Sequence, residues 1–129
     1  MKQKVYSGAP WEKSVAYSRL TKVGNHIFVS GTTAVDDSGN VAGAGDVYEQ
    51  CSYIFKKIAN ALAHVGTSLS DVVRTRTFMT DISRFDEFAR AHAEAFTGID
   101  PVASCLEVSR LVDDRLLVEI EVDALLDVE

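Results

Sequence analysis

At Asp46 the spacing of apolar residues changes its period, and that change constrains the fold more than any other feature of the chain. Before it, "YSRLTKV" and "HIFVSGTTAV" flank the turn-forming pair Gly24-Asn25, which predicts a β-hairpin of residues 17–23 and 26–35, closed by "DDSGN". After it, Val47, Cys51, Ile54, Phe55, Ile58, Leu62 and Val65 recur at helical spacing. Asp46 followed three residues later by Glu49 reads as an N-cap with a capping box, and Gly66 as the stop.

The alternation then repeats. A strand is expected over 72–82 and a helix over 84–97, with Phe85, Phe88, Ala91, Ala95 and Phe96 as its apolar stripe and Gly98 just past its end. Beyond the break at Asp100-Pro101, "ASCLEVSR" and "LLVEIEVDAL" read as strands. Their alternation puts Leu106 and Val108 with Val118, Ile120 and Val122 on one apolar face, and Ala103, Cys105 and Glu107 with Glu119, Glu121 and Asp123 on the other. The order β-β-α-β-α-β-β describes a single α+β domain over residues 1–129, with helices on one face of a mixed sheet.

The uncovered face poses the functional question. In "VRTRTFMT" the side chains of Arg74, Arg76 and Phe78 point the same way. Together with Glu107, Glu119, Glu121, Ala103 and Cys105 they make a mixed polar and apolar surface, which suits packing against other subunits around polar clefts. Arg76 has two readings on this face, a clamp for an anionic ligand and an ion-pair partner of the neighbouring carboxylates.

Composition narrows the function classes. A chain of 129 residues, 47% apolar and 25% charged, matches one ordinary globular domain. It has no apolar run of membrane-spanning length and "MKQKVYSGAPW" lacks a signal-peptide core, so a soluble, cytoplasmic protein without membrane partners is expected. A net charge of −6 works against nucleic-acid binding. Cys51 and Cys105 lie far apart with no CxxC pair and no nearby His at metal-ligand spacing, so neither a disulfide framework nor a zinc site is indicated. His64 and His92 fit surface or packing positions, His26 begins a strand beside a turn, and no Ser/His/Asp arrangement can be argued. "VAGAGD", with Gly43 and Gly45, lacks the lysine of a phosphate loop and reads as a flexible entry to the first helix.

From "YSGAPWEKSVAYS" through "FVSGTTAVDDSGN", Gln50, "LAHVGTSLSDVVRTRTFMTDISRF", Pro101, "EVSRL" and "VEIEVDA", the chain resembles the RidA/YjgF family nearly end to end. The resemblance implies a chorismate-mutase-like fold and a homotrimer with ligand clefts between subunits. It further implies cofactor-free hydrolysis of enamines or imines to keto products and ammonia. By residue, Tyr17 matches the cleft tyrosine, Ser30 and Gly31 the "SG" element, Cys105 the cleft cysteine, and Glu119 the carboxylate that positions water; Arg90 falls where many members have asparagine. The family's deaminases have arginine in Pro-x-Arg to hold the substrate carboxylate, and here Ala103 stands there, offering neither charge nor hydrogen bond. That departure leaves open an enzyme for a different imine or carbonyl substrate and a non-catalytic metabolite-binding or regulatory trimer.

Overall fold

Apolar residues three and four apart in two helical segments need one sheet face to bury them, and the computed structural model, which describes residues 1–127, supplies it. The elements in chain order are β1 (Lys2–Val5), α1 (Pro10–Val15), β2 (Leu20–Val23), β3 (His26–Thr32), α2 (Val47–Ala63), β4 (Val72–Met79), α3 (Phe85–Phe96), β5 (Val102–Glu107) and β6 (Val118–Leu125). The strands form one six-stranded sheet in the order β1-β2-β3-β6-β4-β5. Every neighbouring pair is antiparallel except β4 and β5, which run parallel.

The core lies between this sheet and the two long helices. Ile54, Phe55, Ile58 and Leu62 of α2 and Phe88, Ala91 and Phe96 of α3 are buried against Ile27, Val29, Met79, Val118, Ile120 and Val122. Asp46 accepts from the Glu49 backbone N–H as the expected N-cap. The reciprocal half of the predicted capping box is replaced, since the Asp46 N–H donates to the Gly43 carbonyl at 2.9 Å. At the hairpin, the positive φ of 59° at Gly24 makes the tight turn, which glycine adopts without a Cβ penalty.

Two elements have no counterpart in the sequence reading. β1 pairs along β2 in the register Lys2↔Val23 to Val5↔Leu20, and α1 starts at Pro10, a residue suited to the first helical turn. The predicted strand 17–23 is shortened to Leu20–Val23.

The third difference reverses a face. Pairing of β4 with β5 sets Thr77 beside Cys105 and Phe78 beside Leu106, so Ala103, Cys105 and Glu107 lie on the helix side and Leu106 on the open side. Leu106 is 55% exposed rather than part of the core, and Glu107 accepts from the Ile82 backbone N–H at 3.0 Å. The cause is position. β5 is an edge strand of which only Cys105 and the following loop reach partial burial, so its hydrophobic alternation does not report which side the helices cover.

Candidate functional site

Glu119 sits where two irregularities meet. The β3–β6 register slips between Val29 and Thr32, leaving Ser30 and Gly31 in a bulge, and a Cβ on Gly31 would lie 2.0 Å from Glu119 Oε2. Only glycine permits that approach. The bulge is tied to the chain entering β2: the Ser30 N–H donates to the Arg19 carbonyl (3.1 Å), Ser30 Oγ to the Ser18 carbonyl (2.7 Å), and Arg19 Nη2 to the Gly31 carbonyl (2.7 Å).

This packing sets the electrostatics. Burial pushes the Glu119 carboxyl above its ordinary range, Arg19 opposes that shift, and Glu121 adds to it. Among the described residues no hydrogen-bond donor reaches the Glu119 carboxylate, which leaves its oxygens free to hold water. Tyr17 is half-buried, with the Arg19 guanidinium 6.0 Å from its ring centre. Ser30, Gly31 and Glu119 thus meet at one end of the sheet, and Arg19 links them to Tyr17.

Cys105 belongs elsewhere. It lies on the helix side of the edge strand and packs against the core, where burial pushes its thiol up. Its neighbour Cys51, wholly buried on α2, is pushed up to about 12. Glu119 and Asp123 project from the opposite side of the sheet, as do Arg76 and Phe78. One protomer therefore cannot present Cys105 and Glu119 to the same small molecule. Ala103 shares the side of Cys105, not that of Glu119, which corrects the sequence reading of that strand.

Arg74, Arg76 and Arg90, away from this end, are occupied. Arg76 Nη1 lies 3.1 Å from Glu121 and 3.4 Å from Asp123, and Arg74 lies 3.8 Å from Asp123, forming a half-exposed ladder across β4 and β6. Arg90, exposed on α3, places its guanidinium 3.8 Å from the Tyr48 ring centre, and the Tyr48 hydroxyl donates to Glu94. Two hollows of about 650 and 370 Å³ surround α1, and Tyr17 lines the smaller one. Neither is lined by Glu119 or Cys105. No described helix is long and apolar enough to cross a membrane, and no three described His, Cys, Asp or Glu residues are grouped to hold a metal ion.

Arg19 is the site residue that sequence reading missed. Its side chain is only 9% exposed, and its available signal was an arginine two residues after Tyr17 at the start of an apolar strand.

A family model described as Endoribonuclease L-PSP matches residues 8–126. The chain belongs to the RidA/YjgF family. A solved structure of a Mycobacterium tuberculosis member of the YjgF/YER057c/UK114 family superposes with a TM-score of 0.88 at 42% identity, covering 98% of this chain and 100% of that one. An uncharacterized protein of Streptomyces coelicolor is 37% identical over 95% of this chain and 90% of its own length. The 3-aminoacrylate deaminase RutC of Acinetobacter baylyi is 29% identical over 78% of this chain and 80% of its own length. Against that RidA/YjgF background, the glutamate on the glycine bulge and the alanine at position 103 are the features that bear on chemistry.

Proposed function

We propose that the chain is a cofactor-free hydrolase of small imines or enamines that works as a homotrimer, in clefts where the Glu119 end of one subunit meets the Cys105 edge of the next. The observation that carries this reading is the Glu119 carboxyl packed on Gly31, half-buried, raised in pKa and without an internal donor. A carboxylate whose proton affinity is raised toward neutrality is a better general base. Glu119 takes a proton from water as the water oxygen bonds to the imine carbon and the C=N π electrons move to nitrogen. The proton passes on to that nitrogen; Glu119 then takes the carbinolamine O–H proton and delivers it to the amine nitrogen as the C=O bond forms and the C–N bond breaks, and a carbonyl compound and ammonia leave.

Two details argue against a covalent route. Ser30 Oγ is committed to the Ser18 carbonyl, and the Cys105 thiol is held protonated by burial, so water is the better nucleophile. The open face supports assembly, since Phe28, Val102 and Leu106 expose apolar surface around the arginine–carboxylate ladder. That ladder pairs its arginines with acids and offers little to a phosphate backbone. Ala103 favours the second reading, a metabolite-binding trimer without catalysis, because it removes the expected cation from the Cys105 edge.

Freshly generated imines with and without a carboxylate, assayed for ammonia release, separate the two. Release that falls at least about a hundredfold in Glu119→Gln supports the hydrolase, in line with the 10²–10⁴ range for general acid–base catalysis. No release from any imine, together with thermal stabilisation by small carbonyl metabolites, supports the binding protein.

A further inference from the structure

A glutamine buried inside the apolar stripe of a helix needs a reason. Gln50 lies among Val47, Cys51 and Ile54 of α2 and is 0% exposed, where a leucine would bury without an amide to satisfy. Its amide is committed to the backbone of two segments distant in sequence. Nε2 donates to the Gly43 carbonyl (3.3 Å) and the Arg115 carbonyl (3.1 Å), and Oε1 accepts from the Leu117 N–H (2.9 Å). Seven residues on, the same face of α2 carries Lys57. Its ammonium donates to the Thr33 (2.7 Å) and Val35 (2.9 Å) carbonyls, and no described carboxylate lies within salt-bridge distance of it. Burial lowers its pKa, so the position works against the charge it holds.

The meaning of these bonds lies in where they fall. A Cβ on Gly31 would lie 2.0 Å from Glu119 Oε2, so the carboxyl rests directly on backbone, and a small slide of either strand would open the contact. The β3–β6 register slips at this place, so the ladder itself does not fix the approach. Thr33 is two residues past Gly31, and Leu117 is two residues before Glu119. α2 therefore grips each chain two residues from the contact, Lys57 where the bulge exits and Gln50 where β6 begins.

We propose that Gln50 and Lys57 are positioning residues for the Glu119 carboxyl, holding the bulge and the start of β6 at the separation that keeps the carboxyl packed on Gly31. They act through Glu119 and not on substrate. The assignment deepens the hydrolase reading, on which its effect on turnover rests.

The readout is the titration of Glu119 in the assembled protein, followed by carbon NMR of glutamate labelled at the carboxyl carbon and assigned by its loss in Glu119→Gln. Arg19 and Glu121 are the charged groups that act on that carboxyl, and neither is altered. Burial is the largest cause of its raised pKa, so loosening its seat should lower it toward 4.5. That fall is expected in Gln50→Leu, which removes all three amide bonds, and in Lys57→Met, which keeps the stem and removes the ammonium. Ile58→Val, a buried change on the same helix, should lower the melting temperature and leave the titration as in wild type. Where an imine is turned over, kcat should fall about ten- to a hundredfold in the two clamp variants with KM unchanged. Lys57 is half-buried, and Lys57→Met carries the test alone should Gln50→Leu fail to fold.

A folded Gln50→Leu or Lys57→Met in which Glu119 titrates as in wild type or higher overturns that residue's assignment, and an equal fall in Ile58→Val overturns both. The two readings fail separately. A lowered titration with no ammonia release from wild type keeps the clamps and removes the hydrolase; ammonia release from wild type, with titration and kcat unchanged in the variants, keeps the hydrolase and removes the clamps.

Discussion

The two faces of the sheet use charge in opposite ways. On the helix side, Val118, Ile120 and Val122 of β6 are fully buried among apolar residues, where Thr75 bonds His92 and the buried Thr77 hydroxyl has no described hydrogen-bond partner. On the open side the same strand carries Glu119, Glu121 and Asp123, set against Arg74 and Arg76 and flanked by exposed Phe28, Val102 and Leu106. The first face is complete within one chain. The second spends apolar and charged surface together, which makes sense when other copies cover it. A single strand's alternation thereby separates the packed core from the open face.

The largest effect that sharpens this contrast is on the helix side. Ile120→Ala should cost about 2–5 kcal/mol in chemical denaturation, as deletion of a fully buried aliphatic side chain does. Leu106→Asp on the open side should leave the fold of the subunit intact. It should weaken subunit association by about tenfold or more, from the apolar burial it forfeits, seen as concentration-dependent dissociation in light scattering. An equal loss of fold stability in both variants would break the comparison.

Arg76→Met comes next. In separated subunits the half-exposed pairs with Glu121 and Asp123 should be worth no more than about 1 kcal/mol. Once partner copies cover the face, stranding those acids should cost about 3–5 kcal/mol. The denaturation midpoint of the variant should therefore fall further below wild type as protein concentration rises.

Two pH effects are smaller and opposite in sign. Glu119 has a folded pKa raised above the ordinary 4.5, so its contribution is fully present below 4.5 and lost as pH rises through the folded value. Glu119→Gln should accordingly melt higher than wild type at neutral pH, with the gap closing near pH 4. On the helix side, His92 bonds Thr75 Oγ1 at 2.9 Å and packs against Phe55, Phe88 and Phe96, and burial lowers its pKa below 6.5. The unfolded chain then binds the proton more readily, so stability is present above 6.5 and falls as pH drops through the folded value. His92→Gln should flatten that acid-side slope in thermal melts.

Legibility in the sequence followed the strength of the local signal. α2 could be read from Asp46 and seven apolar residues at helical spacing, and β6 from alternation that the core enforces. β1 could not: its four residues are mostly exposed, and only β2 holds them. The face of β5 was read backwards because Leu106 and Val108 look like core residues, whereas the register with β4 turns Leu106 outward. At the site, Glu119, Gly31 and Tyr17 came from the family resemblance; Glu119 packs on Gly31, and Tyr17 is joined to them through Arg19. Arg19 stayed hidden, since nothing local marks a strand-leading arginine as buried. Its meaning comes from a carbonyl twelve residues away.

The central claim is that the ligand cleft is built from two subunits, and cross-linking its halves tests that most directly. Tyr17→Cys on the Glu119 end, treated with a short bismaleimide, should link to native Cys105 of another copy and give bands up to three chains on a denaturing gel, absent when Cys105→Ala is added. Material that stays at the single-chain mass of 14.1 kDa, or a loop closed within one chain, would contradict the account.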